Sequence, residues 1–189
     1  VPGLDQVQHL ITTIHNDGFD QVLAGLRAGH ELESTIEAWI ATPTWTESLA
    51  YLHDHTTVLT QPQTVEMLAA TDDPVAQQHA AILALADRHP TEVLLRVLTE
   101  PATAANQARD AIETADLATA AAILTACPAA VQVPGTGPLI FAILALASGQ
   151  PDQAMTAAET AAATATDLQR RAHHIRLSKL LAADDLTPE

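Results

Sequence analysis

The sequence is poor in aromatic side chains, in basic side chains and in cysteine. Among its 189 residues the aromatic ones are Phe19, Trp39, Trp45, Tyr51 and Phe141. Smaller apolar side chains must therefore fill most of any core. Cys127 is the only cysteine, which excludes a disulfide within the chain.

Basic charge and long apolar runs are also scarce. With 23 acidic residues against 8 basic ones, the formal net charge is −15, and a phosphate backbone would repel such a chain. We therefore exclude nucleic acid as a main partner. The longest nearly uninterrupted apolar run, 138–147, covers ten residues, about half of a bilayer span. We expect no membrane association and, with a single thiol and no signal segment, a cytoplasmic location.

Alanine and threonine dominate what is present, with 38 Ala and 23 Thr. Alanine is the best helix former, whereas strands need β-branched and aromatic faces, so the composition favours closely packed helices. One Lys and two Asn beside so much Ala suggest a bacterial source with a GC-rich genome. Because the first residue is Val1 rather than Met, we expect a domain of a longer protein.

The fold class predicted from apolar spacing and helix punctuation is all-α, built of stacked antiparallel helical hairpins. Thr44 with Glu47 forms a capping box, and Asp73 before Pro74 is a cap followed by a proline at the first helical position. We predict no strand. The roughly twelve predicted helices lie near 4–14, 19–28, 32–40, 45–52, 62–70, 74–85, 90–98, 102–113, 116–127, 138–148, 151–165 and 167–183.

The C-terminal half contains an internal repeat with a period of 34 residues. Sliding residues 103–130 onto 137–164 superposes Ala108 on Ala142 and Ala120 on Ala154. It also places the turn Ala115-Asp116 on Gly149-Gln150. The two segments therefore share a helix–turn–helix phase, which is the signature of a repeat architecture.

The stretch 143–161 in this repeat resembles the core of a tetratricopeptide repeat. Small residues such as Ala142 and Ala154 would let paired helices approach, and Gly149 would turn between them. Gln107 and an early Pro128 depart from the family pattern. The resemblance implies an α-solenoid, or right-handed superhelix, over 101–189 that ends in a capping helix, after an N-terminal helical hairpin region over 1–100.

A segment of the N-terminal region, 40–85, resembles helices found beside repeat arrays in large bacterial proteins with caspase-like CHAT peptidase domains or related effector domains. This resemblance implies that an effector domain on the same chain could be a partner. The residues that carry it are Trp45, Leu49, Leu52, His55, Leu59, Leu68, His79 and Leu83.

Residues capable of catalysis or metal binding do not form a recognisable motif. His53 and His55 are two apart, which places them on different faces of a helix, and no His-Glu-x-x-His occurs. Cys127 lies at a small-residue packing position, where a buried structural role is expected. The 135–137 Gly-Thr-Gly loop lacks the lysine of a phosphate cradle. We predict no catalytic residue, no cofactor and no metal, and thus no enzyme.

What remains is a surface for a protein or peptide. The first helix of each repeat lines the concave side of a helical stack, and the last predicted helix carries half of the basic charge. Such a mixed groove with a basic end suits an extended acidic or C-terminal peptide, unless the last helix only caps the array. The resemblance to the repeat family implies the candidate partner-binding residues, which are Asn106, Arg109, Glu113, Ile140 and Ile143, together with Arg170, His173 and His174 of the last helix.

Two functions follow from this pattern. The first is a non-enzymatic protein-interaction module, a scaffold or sensor within a larger bacterial regulatory or effector protein. The alternative is a helical regulator that binds a small hydrophobic ligand between hairpins, because alanine-lined interfaces leave room for one. The absence of a catalytic motif and the 34-residue pairing make the interaction module the leading prediction.

Overall fold

The computed structural model describes residues 18–166, together with residues 8, 12, 13 and 15. This part of the chain forms ten α-helices and one 3₁₀ helix and contains no strand, which confirms the all-α prediction. The α-helices are α1 (Phe19–Ile40), α2 (Trp45–Asp54), α3 (Thr56–Leu59), α4 (Pro62–Ala69), α5 (Pro74–Ala86), α6 (Thr91–Thr99), α7 (Pro101–Glu113), α8 (Leu117–Ala126), α9 (Gly137–Ala147) and α10 (Pro151–Thr164). The 3₁₀ helix, Pro128–Gln132, lies between α8 and α9.

The helix count differs from the predicted twelve for identifiable reasons. The predicted break near Gly29 is wrong, because α1 continues through this glycine to Ile40. A single glycine costs a helix only about 1 kcal/mol, and neither a proline nor a cap follows it. The short helix α3 and the 3₁₀ helix were not predicted. Most of the predicted helix 4–14, and all of 167–183, lie outside the described residues.

Contacts divide the chain into two units, Val1–Val65 and Glu66–Glu189. The boundary predicted between residues 100 and 101 separates a region without the 34-residue repeat from a region with it, and it stays a prediction.

In the first unit α1 packs against α2 and α3. Trp39 is fully buried there, and its indole Nε1 donates a hydrogen bond of 2.9 Å to the backbone oxygen of Ser48. Thr44 accepts a hydrogen bond from the backbone N–H of Glu47, as the predicted cap requires.

The second unit is organised around α5 to α10. Helix α5 packs mainly on α8, α6 packs on α7, and the pairs α7–α8 and α9–α10 each form a hairpin. Asp73 caps α5 by accepting a hydrogen bond of 3.0 Å from the N–H of Val75, which confirms the predicted cap. Turns of only a few residues separate most of these helices, so successive helices fold back on one another.

Helix α7 ends at Glu113, and the second residue after it has a left-handed backbone. Ala115 has a φ of 60°. Its N–H donates to the oxygen of Ile112, and the N–H of Asp116 donates to the oxygen of Ala111, both at 2.9 Å. This pair of bonds satisfies carbonyls at the end of the helix and defines a Schellman motif.

The same motif recurs at the end of α9, 34 residues later in the chain. Gly149 has a φ of 71°. Its N–H donates to the oxygen of Leu146 at 3.0 Å, and the N–H of Gln150 donates to the oxygen of Ala145 at 2.9 Å. The 34-residue period found in the sequence is therefore a period of backbone geometry at this turn.

Alanine fills the contacts between helices in the second unit. Ala108 and Ala120 are fully buried, and their counterparts Ala142 and Ala154 are each only 7% exposed. The one aromatic residue between 66 and 166 is Phe141, which is partly exposed rather than central to the core. Small side chains thus set the close spacing of these helices.

Replacing Ala115 with glycine should stabilise the protein. A left-handed φ costs a non-glycine residue about 1–2 kcal/mol, and the added freedom of a glycine in the unfolded chain offsets about 0.5–1 kcal/mol of that gain. We expect Ala115→Gly to raise the free energy of unfolding by about 0.5–1 kcal/mol, measured by urea titration.

The reverse change, Gly149→Ala, is the matched control. A methyl group at Gly149 would meet no atom within 4 Å, so only its positive φ opposes the substitution. We expect a loss of about 1 kcal/mol. If both variants shifted stability in the same direction, the two turns would not share this strain.

Candidate functional site

Three of the predicted partner-binding residues lie together on α7. Nη1 of Arg109 donates a hydrogen bond of 2.9 Å to Oδ1 of Asn106, and its Nε lies 3.7 Å from Oε1 of Glu113. Asp110 accepts a further hydrogen bond of 2.8 Å from Nη2. The structure thus holds the Arg109 guanidinium in a network of polar side chains on its own helix.

Of the other predicted residues, the structure describes only Ile140 and Ile143, which belong to α9. Ile140 is only 2% exposed, so it is a core residue and offers no surface to a partner. Ile143 is half-buried on α9. Arg170, His173 and His174 lie outside the described residues. The predicted groove is therefore represented in the described structure by the α7 cluster Asn106–Arg109–Glu113.

A polar tie joins the α5–α6 turn to the start of α8. Asp116 caps α8, with Oδ1 accepting from the N–H of Thr119 at 3.0 Å and Oδ2 accepting from its hydroxyl at 2.8 Å. Nη1 of Arg88 donates to Oδ2 of Asp116 at 2.7 Å and also contacts the hydroxyl of Thr119. The hydrogen bonds from Thr119, and then the charge of Arg88, lower the pKa of the Asp116 carboxyl.

A polar cleft of about 250 Å³ lies beside this tie. Gln107, Asp110 and Thr114 of the α7 side face Arg88 and His89 across it. Within the described residues, Nε2 of His89 is a buried side-chain atom without a hydrogen-bond partner. Arg88 and Asp116 neutralise each other in this cleft, and the remaining carboxylate, Asp110, pairs with Arg109.

A second cleft, of about 370 Å³, is apolar. One wall is the α8 surface at Ala121 and Leu124 with Pro128 and Val131 of the 3₁₀ helix, and the other is the α9 surface around Phe141. The remaining lining residues are Thr125, Leu144, Ala145, Ser148 and Gln150. It therefore lies between the two hairpins that repeat at 34 residues.

The residues of the apolar cleft were not predicted from the sequence, although an uncharged stretch of the chain marks their position. The 35 residues from Leu117 to Pro151 contain no Asp, Glu, Lys, Arg or His. In a chain with a net charge of −15, so long an uncharged stretch is unusual. It comprises α8, the 3₁₀ helix and α9, which supply every residue that lines the cleft apart from Ser148 and Gln150 in the adjoining turn.

The glycine-rich loop before α9 serves packing. A Cβ atom on Gly137 would collide with the backbone oxygens of Ala130 and Val131, so only glycine fits against the 3₁₀ helix. The N–H of Gly135 donates a hydrogen bond of 3.1 Å to the hydroxyl of Thr164 at the end of α10. The contact at Gly137 holds the 3₁₀ helix, and with it one wall of the apolar cleft, against α9, and the hydrogen bond of Gly135 ties the loop to α10.

Groups that could carry chemistry are few in the described part of the chain. Cys127 is buried, and burial raises the pKa of its thiol, which favours the unreactive protonated form. Among the residues that the structure describes, no three His, Cys, Asp or Glu side chains are grouped so that they could hold a metal ion. None of the described helices combines the length and apolar character needed to cross a bilayer.

Comparison of the chain with protein-family models, with curated proteins and with solved structures finds no match. The features of the described structure that bear on function are the α7 cluster, the polar tie and the apolar cleft.

The polar tie should make stability depend on pH through Asp116. The pKa of this carboxyl is lowered on folding, from about 3.9 for an unfolded aspartate, so its contribution is present above pH 4 and is lost as the pH falls through the folded pKa. Asparagine can still cap α8 but carries no charge for Arg88. We expect Asp116→Asn to lower the Tm at pH 7, with a difference from wild type that shrinks below pH 4.

Asp72→Asn is the control, since it removes one negative charge from an exposed position in the turn before α5. Differential scanning calorimetry of all three proteins at pH 7, 5 and 3 makes the comparison. A Tm difference for Asp116→Asn that stays constant from pH 7 to pH 3, or that Asp72→Asn reproduces, would contradict the role of the tie.

Proposed function

We propose that the chain is a non-enzymatic helical interaction module, a scaffold or sensor that acts with a neighbouring effector domain or protein partner in a bacterial regulatory or effector protein. In this proposal the hairpins α7–α8 and α9–α10 are successive units of a tetratricopeptide-like array. The observation that supports it most is the recurrence of one turn geometry at Ala115 and Gly149, because stacked units of this kind are widely used to present binding surfaces.

Two features set the proposed array apart from a regular stack. Helix α5 packs on α8, the second helix of the next hairpin. Each of the helices α5 to α8 therefore contacts the next along the chain, and the last of them contacts the first. The 3₁₀ helix is inserted between the two hairpins. Both features would limit the array to a short one.

The proposed partner surface is centred on Arg109. Its network with Asn106 and Glu113 holds the guanidinium in a defined position, so little side-chain entropy would be lost on binding. An acidic partner group could replace Glu113, whose 3.7 Å contact is the longest of the network. Arginine anchored in this way is typical of residues that dominate protein interfaces.

The test is charge reversal of Arg109 with Arg96 as a matched control. Both arginines pair with a glutamate four residues later, Arg96 with Glu100 and Arg109 with Glu113. We expect Arg109→Glu to reduce cross-linked partner recovery from host cells at least tenfold, as judged by quantitative mass spectrometry, and Arg96→Glu to leave it unchanged. Circular dichroism establishes that both variants are folded.

A second variant, combining Arg170→Glu, His173→Ala and His174→Ala, tests the C-terminal residues predicted for the same groove. Recovery should fall for it as for Arg109→Glu if the groove extends to these residues. Equal partner recovery by the wild type and by both groove variants would overturn the interaction surface.

A second candidate function is a helical regulator that binds a small hydrophobic molecule between hairpins. The apolar cleft between α8 and α9 favours it, because a concave apolar site with a few polar groups is the usual form of a small-molecule site. The two functions are compatible, since a bound molecule next to the α9–α10 hairpin could control a partner surface.

A further inference from the structure

We propose that the apolar cleft between α8 and α9 binds an uncharged small molecule with an apolar body and one neutral polar end. The inference rests on the second candidate function and gives it a location and a ligand class. Its basis is the combination of preformed apolar walls with a lining that holds no ionisable side chain.

The cleft has the size and the fixed walls of a small-molecule site. Its volume of about 370 Å³ falls within the range of about 300–1,000 Å³ typical of ligand pockets. The wall at Pro128 and Val131 is held in place by the close contact of the 3₁₀ helix with Gly137. Phe141, opposite, is 37% exposed, and a ligand would remove its ring from water.

The absence of charge in the lining selects the class of ligand. None of the ten lining residues is Asp, Glu, Lys, Arg or His. A carboxylate entering the cleft would lose hydration and meet no cation, and an ammonium group would meet no carboxylate. The strong negative charge of the whole chain adds a further cost for anions.

Three polar side chains are placed to hold a neutral polar group. Thr125, Ser148 and Gln150 are the polar members of the lining, and each is exposed to solvent. Hydroxyl and amide groups can both donate and accept hydrogen bonds. A hydroxyl, carbonyl or amide at one end of the ligand therefore suits them.

A small molecule fits the cleft better than a protein surface does. Ten residues line it, whereas a stable protein interface takes about 20–30 residues from each side. Ten residues are enough to contact one face and the edges of a two-ring molecule, whose other face would stay open to solvent.

Three probes that share one ring system test the proposal on the full chain. They are 1-naphthol, which is neutral at pH 7, 1-naphthoate, which is an anion, and 1-naphthylmethylammonium, which is a cation. We expect 1-naphthol to bind at least tenfold more tightly than either ion, measured by titration of the amide NMR signals. The shifted amides should include those of Thr125, Leu144 and Ser148.

Ala121→Phe should block the site, because Ala121 is an exposed lining residue and a phenyl ring there enters the cleft. Ala158→Phe is the control, being an equal change at an exposed position of α10 outside the lining. We expect at least tenfold weaker binding of 1-naphthol to the first variant and unchanged binding to the second. If Ala121→Phe did not fold, the amides that shift in the wild type would show whether 1-naphthol binds in the cleft.

The outcomes separate the site from the function. If 1-naphthoate bound at the same amides as tightly as 1-naphthol, the ligand class would be wrong while the small-molecule function survived. If 1-naphthol shifted amides elsewhere, or if Ala121→Phe bound it normally, the location would be wrong. No shift with any probe would overturn the proposal and the second candidate function together, and the interaction module would stand on its own test.

Discussion

The close approach of helices over alanine and glycine is the constraint on which the second unit depends. Ala104, Ala105 and Ala108 of α7 have no exposed surface, and Gly137 at the start of α9 has no room for a Cβ atom. Protein interiors tolerate little excess volume. The spacing of these helices is therefore set by residues that cannot grow, and the core holds together without aromatic side chains.

The same constraint explains where charge is placed. Helices that touch over methyl groups leave no buried position for an ion, and the stretch from Leu117 to Pro151 carries none. Charged contacts lie at the periphery, as in the tie between Arg88 and Asp116. Where the structure describes the second unit, its buried side chains are apolar except for His79 and Thr119, and the ion pair of Arg88 with Asp116 lies at its edge.

Local signals in the sequence predicted local structure well. The caps at Thr44 and Asp73 are present because the first N–H groups of a helix have no carbonyl partner within it, and a short polar side chain just before the helix can accept from them. The turn at Gly149 recurs in phase at Ala115, although that position lacks the glycine which usually marks it. The prediction of a helix break at Gly29 was wrong, because a glycine weakens a helix without ending it.

Features that depend on which helices meet could not be derived in this way. Ile140 was assigned to a binding face by repeat phase, but the 3₁₀ helix and α7 both pack on α9 and leave this residue buried. The cleft at Phe141 and the tie from Arg88 to Asp116 join residues distant in sequence. The uncharged stretch marks the segment that lines the cleft, but it does not show that α8 and α9 stand far enough apart to leave a cleft between them.

Equilibrium urea unfolding of Ala108→Val beside Ala158→Val tests the packing constraint most directly. Both substitutions carry the same loss of helix propensity, at most about 0.7 kcal/mol, but only Ala108 lies in a helix contact, whereas Ala158 is exposed. Overpacking a tight contact costs about 1–3 kcal/mol, so Ala108→Val should lose that much more stability than Ala158→Val. Equal losses for the two variants would contradict the claim that small residues set the spacing of these helices.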